Sequence, residues 1–252
     1  MASISGRGSH LERIVGQIQR RWGPKALHRL GPSAPAATIP SVPTGFPDLD
    51  QALGIGGVPR GRITELLSTP TSGMMTLALR VIAHAQAAGS PAVALDLGGT
   101  FDPEYAARSG VNLDTLLLVH PRTAVEALEI AQTLIASGGV GVLVFDSIAH
   151  LLAEPEGSRM LSAALRRLIG PLAGSPCALL FLNPLSPDDT MSVATAPSGL
   201  ALPHYAAVRL LLEKEQWLHR RRDVLGYQVR VTVLKNKLAA AHRPVPIAIT
   251  FE

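Results

Sequence analysis

Two methionines, Met74 and Met75, stand where a phosphate-binding loop carries its lysine and its threonine or serine. Such loops follow the pattern G-x-x-x-x-G-K-[ST], in which the lysine contacts the β- and γ-phosphates and the hydroxyl binds Mg²⁺. When the pattern is placed on Ser68 to Met75, only Gly73 matches. A thioether carries no charge and is a poor ligand for a hard cation. The sequence therefore predicts a nucleotide-binding scaffold without its phosphate and metal contacts.

The segment Val142–Asp146 predicts the second element of such a site. Four apolar residues form a buried strand, and the carboxylate of Asp146 follows at the carboxyl end. Ligands collect at this edge in open α/β sheets, where Asp146 is placed to bind a water on magnesium. Together with the strand, turn and helix around Gly73, it indicates a P-loop NTPase ancestor.

The elements that position these residues alternate between strand and helix from residue 44 to residue 252. Nearly continuous aliphatic runs are typical of strands in a parallel sheet covered on both faces, while the later strands are closely spaced and favour an antiparallel edge. We therefore predict an α/β fold with a mostly parallel sheet. The predicted strands are Thr64–Leu67, Ala92–Leu97, Leu116–His120, Gly141–Phe145, Ala178–Leu182, Ala207–Leu212, Tyr227–Leu234 and Ile247–Phe251, and the predicted helices are Met75–Ala88, Ala124–Ser137 and Arg159–Leu172.

The N-terminal residues 1–31 predict a basic helical arm, followed by a proline-rich linker at residues 32–43. Six basic residues and one acid give the arm a net charge of +5, whereas the whole chain of 252 residues carries +4. Ser9 is the predicted N-cap. An apolar stripe follows helical spacing and is the candidate interface: Leu11, Ile14, Val15 and Ile18.

Composition limits the compartment and the redox chemistry. No apolar run approaches the roughly 20 residues that span a bilayer, and no signal peptide is visible, so we expect a cytoplasmic protein without membrane contact. Cys177 is the only cysteine and lies in an apolar run, so we expect a buried, unreactive thiol.

The chain resembles the bacterial RecA recombinase family from about Leu11 to Glu252. The matching stretches occur in family order, and the resemblance implies a RecA-like core without the family's C-terminal domain. These stretches are Gly16–Gly23, Pro43–Gly54, Gly56–Ile63, Asp102–Gly110, Asp146–Ser147 and Val233–Ala240.

The departures from that resemblance concern the nucleotide site. Gly98 stands in the place of the family's catalytic glutamate, and Pro184 follows Asn183 where the family has an Asn-Gln pair that senses the γ-phosphate. Together with Met74 and Met75, four functional groups are lost, so we predict no catalytic residue and no metal ligand. Pro70 also lacks an N–H to donate to a phosphate.

Other family positions are retained. Tyr105 resembles the adenine-stacking tyrosine, so at most weak binding of ATP or ADP is expected. Lys235 and Lys237 lie two apart at a strand end and project from one face; in RecA-like filaments such lysines reach a neighbour's nucleotide. The vestigial nucleotide site is therefore predicted at Ser68, Thr71, Ser72, Gly73, Met74, Met75, Tyr105 and Asp146.

Binding of single-stranded DNA is predicted to be weak and lost at moderate salt. The family's two DNA loops correspond to Ala153–Ser158 and Pro184–Pro203, which contain acids and no lysine or arginine, although phosphate neutralisation dominates such affinity. The remaining cationic candidates lie in the arm and at the tip of a predicted hairpin: Arg20, Arg21, Arg220, Arg221 and Arg222.

These features favour a non-hydrolysing RecA paralogue that binds RecA filaments, similar to the ImuA-like accessory proteins of translesion mutagenesis, with error-prone polymerase subunits as further partners. Two alternatives stay open. One is a divergent DNA-dependent ATPase that uses Asp96, Asp102 and Asp146, and the other is a DNA-binding module that uses the arm.

Overall fold

The computed structural model describes residues 4–24, 26–27, 39–185, 201–239 and 244–251, with side chains from residue 10 onward. The chain divides into two compact units, Met1–Thr38 and Ile39–Glu252. The predicted linker reaches into the second unit, because Ser41–Val42 (β1) pairs with Val58–Pro59 (β2) in a small antiparallel sheet.

The described residues of the first unit form the helix α1 (Ile4–Trp22). It ends before Gly23, as predicted, and Gly23 adopts a φ of +91°. The predicted N-cap is wrong, since Ser9 lies inside the helix. A serine is tolerated within a helix when the surrounding backbone completes its own hydrogen bonds, and a local capping pattern does not reveal this. Leu11 and Ile14 are exposed, and Val15 and Ile18 are half-buried.

The second unit is built on an eight-stranded sheet in the order β10-β9-β8-β3-β7-β6-β4-β5. All eight predicted strands are present. Their bounds are β3 Arg62–Ser68, β4 Ala92–Asp96, β5 Leu116–Val119, β6 Val142–Asp146, β7 Ala178–Pro184, β8 Val208–Arg220, β9 Asp223–Asn236 and β10 Val245–Thr250.

The described helices of this unit connect the strands. They are α2 Pro47–Leu53, α3 Met74–Ala87, α4 Pro103–Arg108, α5 Ala124–Ala136, α6 Ile148–Ala153, α7 Gly157–Gly174 and α8 Leu202–Tyr205, with a 3-10 turn at Leu113–Thr115. The three predicted helices correspond to α3, α5 and α7.

The sheet buries both faces in its centre. Along β7, Leu180 and Leu182 belong to one apolar cluster, whereas Leu179 and Phe181 belong to the other. This alternation follows from the two-residue repeat of a strand. Strands β3 to β7 pair with one another in parallel, and β8 is parallel to β3. Strand β9 pairs antiparallel with β8, and β10 pairs antiparallel with β9. The carboxyl ends of β3, β4 and β6 therefore meet at one edge.

The hairpin of β8 and β9 is longer than predicted. The sequence placed these strands at residues 207–212 and 227–234, but they extend to Arg220 and back from Asp223. The polar residues of the extension carry little apolar periodicity, and cross-strand pairing holds them in the ladder instead. Arg221 and Arg222 form the turn, as predicted for the hairpin tip, and Arg221 has a φ of +57°.

Candidate nucleotide site

The loop between β3 and α3 has the predicted strand–turn–helix geometry. Ser68 ends β3, and Gly73, with a φ of +81°, precedes the first residue of α3. Thr71 also lies in the left-handed region, at a φ of +60°, which residues other than glycine rarely adopt. The hydroxyl oxygens of Thr69 and Ser72 are 2.8 Å apart and share a hydrogen bond. The loop is closed partly by its own side chains.

Gly73, the motif residue that is retained, is favoured by its backbone conformation and by close packing. A Cβ at this position would lie 2.2 Å from Cδ1 of Ile249, a buried residue of β10. The positive φ disfavours a side chain independently. The loop is also tied to the sheet, since the Leu185 N–H donates to the carbonyl of Ser68 at 2.8 Å. The backbone scaffold of a phosphate loop is therefore present.

The two methionines extend the apolar core into this edge of the sheet. Met74 and Met75 are half-buried and pack against the cluster beneath α3. Met75 lines a cavity of only about 10 Å³ together with Asp96, Phe101 and Asp146. A cavity of this size holds at most about one water, whereas bound Mg²⁺ usually keeps several. This cavity is too small for a hydrated magnesium ion, and the thioether of Met75 beside it is a poor ligand for one.

The carboxylate of Asp146 lies in an unfavourable environment for a charge. Burial and, less strongly, the neighbouring Asp96 raise its pKa from 3.8 to about 6, against a smaller opposing effect of His150. Asp96 is buried but accepts hydrogen bonds from the backbone N–H groups of Thr100 and Phe101 at 3.1 and 2.9 Å. Hydrogen bonds thus stabilise the charge of Asp96 more than that of Asp146. Position 74, where the family carries lysine, also provides no cation to Asp146.

His150 fills the position from which a catalytic glutamate would project. A Cβ built on Gly98 would lie 2.6 Å from Cε1 and 2.9 Å from Nε2 of His150. On its other side, Nδ1 of the imidazole lies 3.2 Å from the hydroxyl oxygen of Ser147. The space beside Gly98, where the family resemblance implies a glutamate, is therefore occupied by the imidazole of His150 on α6.

Replacing Asp146 with asparagine is expected to stabilise the fold, and the gain should depend on pH. The folded-state pKa is raised, so ionisation of Asp146 costs stability as pH rises through about 6. With partial exposure discounted, the cost is about 1–2 kcal/mol above that pH. Thermal unfolding should show Asp146→Asn more stable than wild type at pH 7.5 and similar at pH 4. The exposed Glu129→Gln is the control, and an equal gain at both pH values would contradict the explanation.

Tyr105 lies in a separate cavity of about 250 Å³ at the side of α3. Its hydroxyl is hydrogen-bonded to that of Thr76, and its backbone N–H is capped by Asp102 at 3.0 Å. Arg80 and Phe251 line the same cavity. The tyrosine is thus held in place, within a cavity that combines aromatic and cationic side chains.

Comparison with known proteins agrees with this geometry. The family described as the RecA N-terminal domain matches residues 9–252. RecA from Acidothermus cellulolyticus is 41% identical over 266 aligned positions, which cover all of this chain and 77% of that protein. RecA from Brucella anthropi is 40% identical, covering 96% of this chain and 71% of that protein.

The chain belongs to the RecA family. The solved structure of the RadB recombinase shares the fold, with a TM-score of 0.65 and 21% identity over 83% of this chain and 96% of that one. The α/β architecture with a mostly parallel sheet is thereby confirmed. In this RecA-family chain, Gly73 in the left-handed conformation is followed by Met74 and Met75 at the start of α3.

The lysine pair of this RecA-family core faces one short helix. Lys235 Nζ donates to the carbonyls of Pro203 and His204 at 2.5 and 3.1 Å. Lys237 Nζ donates to the same His204 carbonyl at 3.1 Å. Both therefore project from one face, as predicted. Burial, together with Lys237 and Arg209, lowers the pKa of Lys235 to about 8.

Asn183 is engaged in a buried charge network. Its side-chain amide donates to Glu65 at 2.8 Å, and Nε of Arg209 donates to the other oxygen of Glu65 at 2.5 Å. Glu65 is fully buried and Arg209 nearly so. Pro184 ends the strand directly after Asn183, and the polar group of Asn183 is used inside the sheet.

The predicted cationic residues belong to two different elements. Arg20 and Arg21 are in the last turn of α1, whereas Arg220, Arg221 and Arg222 are exposed at the hairpin tip. The shorter acidic segment joins α6 and α7. Most of the longer predicted DNA loop, residues 186–200, lies outside the described residues.

Several residues of the site were missed by sequence reasoning. Two contacts between distant segments are signalled by no local pattern. They are the contact of His150 with Gly98 and the ion pair of Arg209 with Glu65. Thr76 follows Met75 directly and had a usable signal, because a hydroxyl in the first turn of α3 faces the same side as the loop.

Other expectations concern burial and the membrane. Cys177 is fully buried, as predicted, and burial raises the pKa of its thiol to about 12, which disfavours the reactive thiolate. Within the described residues, no helix has the length and apolar character to cross a membrane, and no three His, Cys, Asp or Glu side chains are grouped as metal ligands.

Proposed function

We propose that this RecA-family protein is a non-hydrolysing accessory factor in DNA repair, acting at the nucleoid in SOS-linked translesion mutagenesis like the ImuA-like proteins. It binds the RecA filament, and error-prone polymerase subunits are further partners. The observation that carries this proposal is that Met75, an uncharged thioether, lines the same small cavity as Asp96 and Asp146.

Charge is the reason that this contact bears on catalysis. Phosphoryl transfer depends on cations positioned around the phosphates, and a lysine 4 Å from a phosphate oxygen contributes about 4 kcal/mol of attraction at an effective dielectric near 20. Position 74 supplies none of it. Asp146, with a pKa raised to about 6, adds negative charge that no cation at position 74 offsets.

Exposed apolar surfaces and a pair of cations support the proposed binding to the RecA filament. The arm carries an exposed apolar stripe that includes Leu11 and Ile14. In the second unit, β5 is the outermost strand of the sheet, and its Leu117 and Leu118 are exposed. An apolar sheet edge without a neighbouring strand is suited to pairing with another chain. Lys235 and Lys237 add two cations at the end of β9, near the opposite edge of the sheet from β5.

The nucleotide that such a protein retains is at most weakly bound. Tyr105 lines a cavity of about 250 Å³ with Arg80 and Phe251, so a base has a place to bind even though the loop offers no cation to the phosphates. We therefore propose weak binding of ATP or ADP through the base, without a bound metal.

A second function is favoured by the relatives themselves. Proteins about 40% identical to this chain are named RecA, which suits a divergent ATP-binding, DNA-dependent recombinase-type ATPase. Such an enzyme would have to act through the remaining acids Asp96, Asp102 and Asp146. Phosphate release that is stimulated by single-stranded DNA and lost in Asp96→Asn would favour it over the accessory function.

The accessory function is tested by co-sedimentation with RecA on single-stranded DNA, with and without ATP. We expect the protein to sediment with the filament when RecA is active, and to remain in the supernatant with DNA alone at moderate salt. Sedimentation with DNA in the absence of RecA, or none with the filament, would refute the proposal.

Replacing Lys235 and Lys237 with alanine is expected to abolish the protein's effect on the RecA ATPase, because the two cations at this strand end are then lost. The effect is measured as phosphate release by RecA across a titration with the variant. Arg166→Ala with Arg167→Ala on α7 is the matched control, since it removes two exposed cations elsewhere. Thermal unfolding checks that the contacts to α8 are not needed for folding. An unchanged effect of the lysine variant would count against this interface.

A further inference from the structure

The cavity beside Tyr105 combines two aromatic rings with several polar side chains. It encloses about 250 Å³ at the side of α3, and Tyr105 and Phe251 both line it. Aromatic side chains bind bases by stacking, and every base has a face that stacks. The rings alone therefore do not choose among bases, so any preference depends on the polar groups beside them.

Neighbouring residues hold both rings in place. The Tyr105 hydroxyl is hydrogen-bonded to that of Thr76. The centroid of the Phe251 ring lies 5.9 Å from that of Tyr227, and the Phe251 backbone N–H donates to the carbonyl of Leu225 at 2.8 Å. Side chains that are already ordered lose little further freedom when a ligand binds. The cavity thus offers ordered aromatic surfaces to a planar ligand.

Arg80, on α3, contributes a cation to this lining. Its guanidinium carbon lies 5.0 Å from the centroid of the Phe46 ring, which supports the group from one side. Its Nε is buried and has no hydrogen-bond partner among the described residues, and none of the ion pairs described there includes Arg80. A guanidinium group carries five N–H donors and no acceptor. Acceptors supplied by a ligand therefore stabilise this group.

The rest of the lining is also rich in donors. Arg108 lines the cavity, and its contact with Glu104, at 4.0 Å between two exposed side chains, is of the kind that contributes little. The Ser109 hydroxyl donates to the carbonyl of Tyr105 at 2.8 Å. Among the described residues that line the cavity, none is acidic. The lining thus favours a ligand edge made of acceptors.

The purine bases differ in the edge that they present to such a lining. Guanine has two neighbouring acceptors, O6 and N7, which match two N–H groups of one guanidinium. Adenine has N7 beside the N6 amino group, which is itself a donor and finds no carboxylate among the described lining residues. A purine with an oxygen at C6 therefore fits the lining better than adenine does.

We propose that this cavity binds 6-oxopurine nucleotides, such as those of guanine, in preference to adenine nucleotides, and that Arg80 selects them. The base stacks on Tyr105 and Phe251, while its O6 and N7 accept hydrogen bonds from the Arg80 guanidinium. This preference rests on the weak base binding proposed for the cavity and adds its specificity.

Shape favours a base over a lone phosphate beside Arg80. A phosphate group also accepts hydrogen bonds from a guanidinium, but it has no flat face and leaves the rings of Tyr105 and Phe251 without a partner. A base satisfies both parts of the lining, since its faces stack on the rings and its edge meets the donors. A sugar phosphate without a base is consequently the comparison ligand.

Four ligands that carry the same phosphate ester separate the base from the phosphate. They are GMP, IMP, AMP and ribose 5-phosphate, and their dissociation constants for the wild-type chain are measured by NMR titration. IMP has the O6 and N7 of guanine without its 2-amino group. We expect GMP and IMP to bind about tenfold more tightly than AMP, as one bidentate arginine contact provides. Ribose 5-phosphate should bind more weakly than all three nucleotides.

Replacing Arg80 with glutamine is expected to change the preference rather than binding alone. A glutamine side chain pairs with N6 and N7 of adenine, so Arg80→Gln should bind AMP at least as tightly as GMP. Arg166→Gln on α7 is the matched control, because this exposed arginine lies outside the cavity lining, and it should keep the tenfold preference. A general loss of structure would weaken GMP and AMP binding alike and leave their ratio unchanged.

Three results would overturn the proposal. They are AMP binding to the wild-type chain as tightly as GMP or IMP, ribose 5-phosphate binding as tightly as GMP, and a preference that persists in a folded Arg80→Gln. The wild-type comparison decides the matter even where the variant fails to fold. Equal weak binding of GMP and AMP would remove the preference and leave the proposed weak nucleotide binding standing. The assay contains no RecA, so the accessory function is tested separately by co-sedimentation.

Discussion

Replacing Met74 with lysine and Met75 with threonine is expected to strengthen binding of MgATP by about thirtyfold. The introduced cation recovers part of the roughly 4 kcal/mol of phosphate attraction at close range, and half of that value corresponds to about 30-fold in affinity. The backbone needed to use it is present, because Gly73 starts α3 with the φ of +81°. Anisotropy of a fluorescent ATP analogue measures the gain.

The control for this gain is Met74→Gln with Met75→Thr, which restores the hydroxyl and the polarity without the charge. It should bind little better than wild type. If both variants failed to bind MgATP more tightly while remaining folded, the loop would be unsuited to phosphate for reasons other than its missing cation.

The same variant is expected to remain without hydrolysis. The catalytic position is occupied, since the His150 ring lies 2.6 Å from where a Cβ on Gly98 would be. Gly98→Glu therefore needs His150→Ala beside it to place a carboxylate at the site. A phosphate-release assay should detect turnover only when these two changes accompany lysine and threonine in the loop.

Replacing Arg209 with leucine is expected to destabilise the fold by about 3–5 kcal/mol, the usual result of leaving a buried charge without its partner. Glu65 is completely buried and bonds to Arg209 and Asn183 alone among the contacts described. The network also fixes β8 beside β3. The hairpin continues from β8 into β9, and Lys235 lies at the end of β9. Urea unfolding monitored by circular dichroism gives the free energy.

Removing both charges should restore most of this stability. In Glu65→Leu with Arg209→Leu, no uncompensated charge remains in the interior, and apolar replacement of a buried pair is often neutral. Arg159→Ala removes the exposed partner of Glu156 on α7 and should have little effect. A double variant as unstable as Arg209→Leu would show that the network contributes geometry that apolar packing does not replace.

The sequence predicted the central sheet well because its strands are apolar runs that bury both faces. Val142–Asp146 and Ala178–Pro184 differ from their predicted bounds by one or two residues, since hydrophobic periodicity alone determines them. The hairpin extension and α2 were missed, because cross-strand pairing and docking on the sheet stabilise them instead.

The site shows the same division between local and tertiary information. The predicted losses at Met74 and Met75 follow from the loop motif, and the predicted loss at Gly98 follows from the resemblance to the RecA family. What fills the space could not be predicted, because His150 meets Gly98, and Ile249 meets Gly73, only after the sheet has assembled. The N-cap at Ser9 was wrong for a related reason, since a capping pattern does not exclude further helix before it.

The most direct measurement of the central claim compares adenosine, ADP and a non-hydrolysable ATP analogue by calorimetric titration of the wild-type chain, each with Mg²⁺ and with EDTA. If the phosphates find no cation and the metal no site, the three ligands should bind with similar weak affinity, unaffected by magnesium. Tight binding that requires both the γ-phosphate and Mg²⁺ would contradict the account.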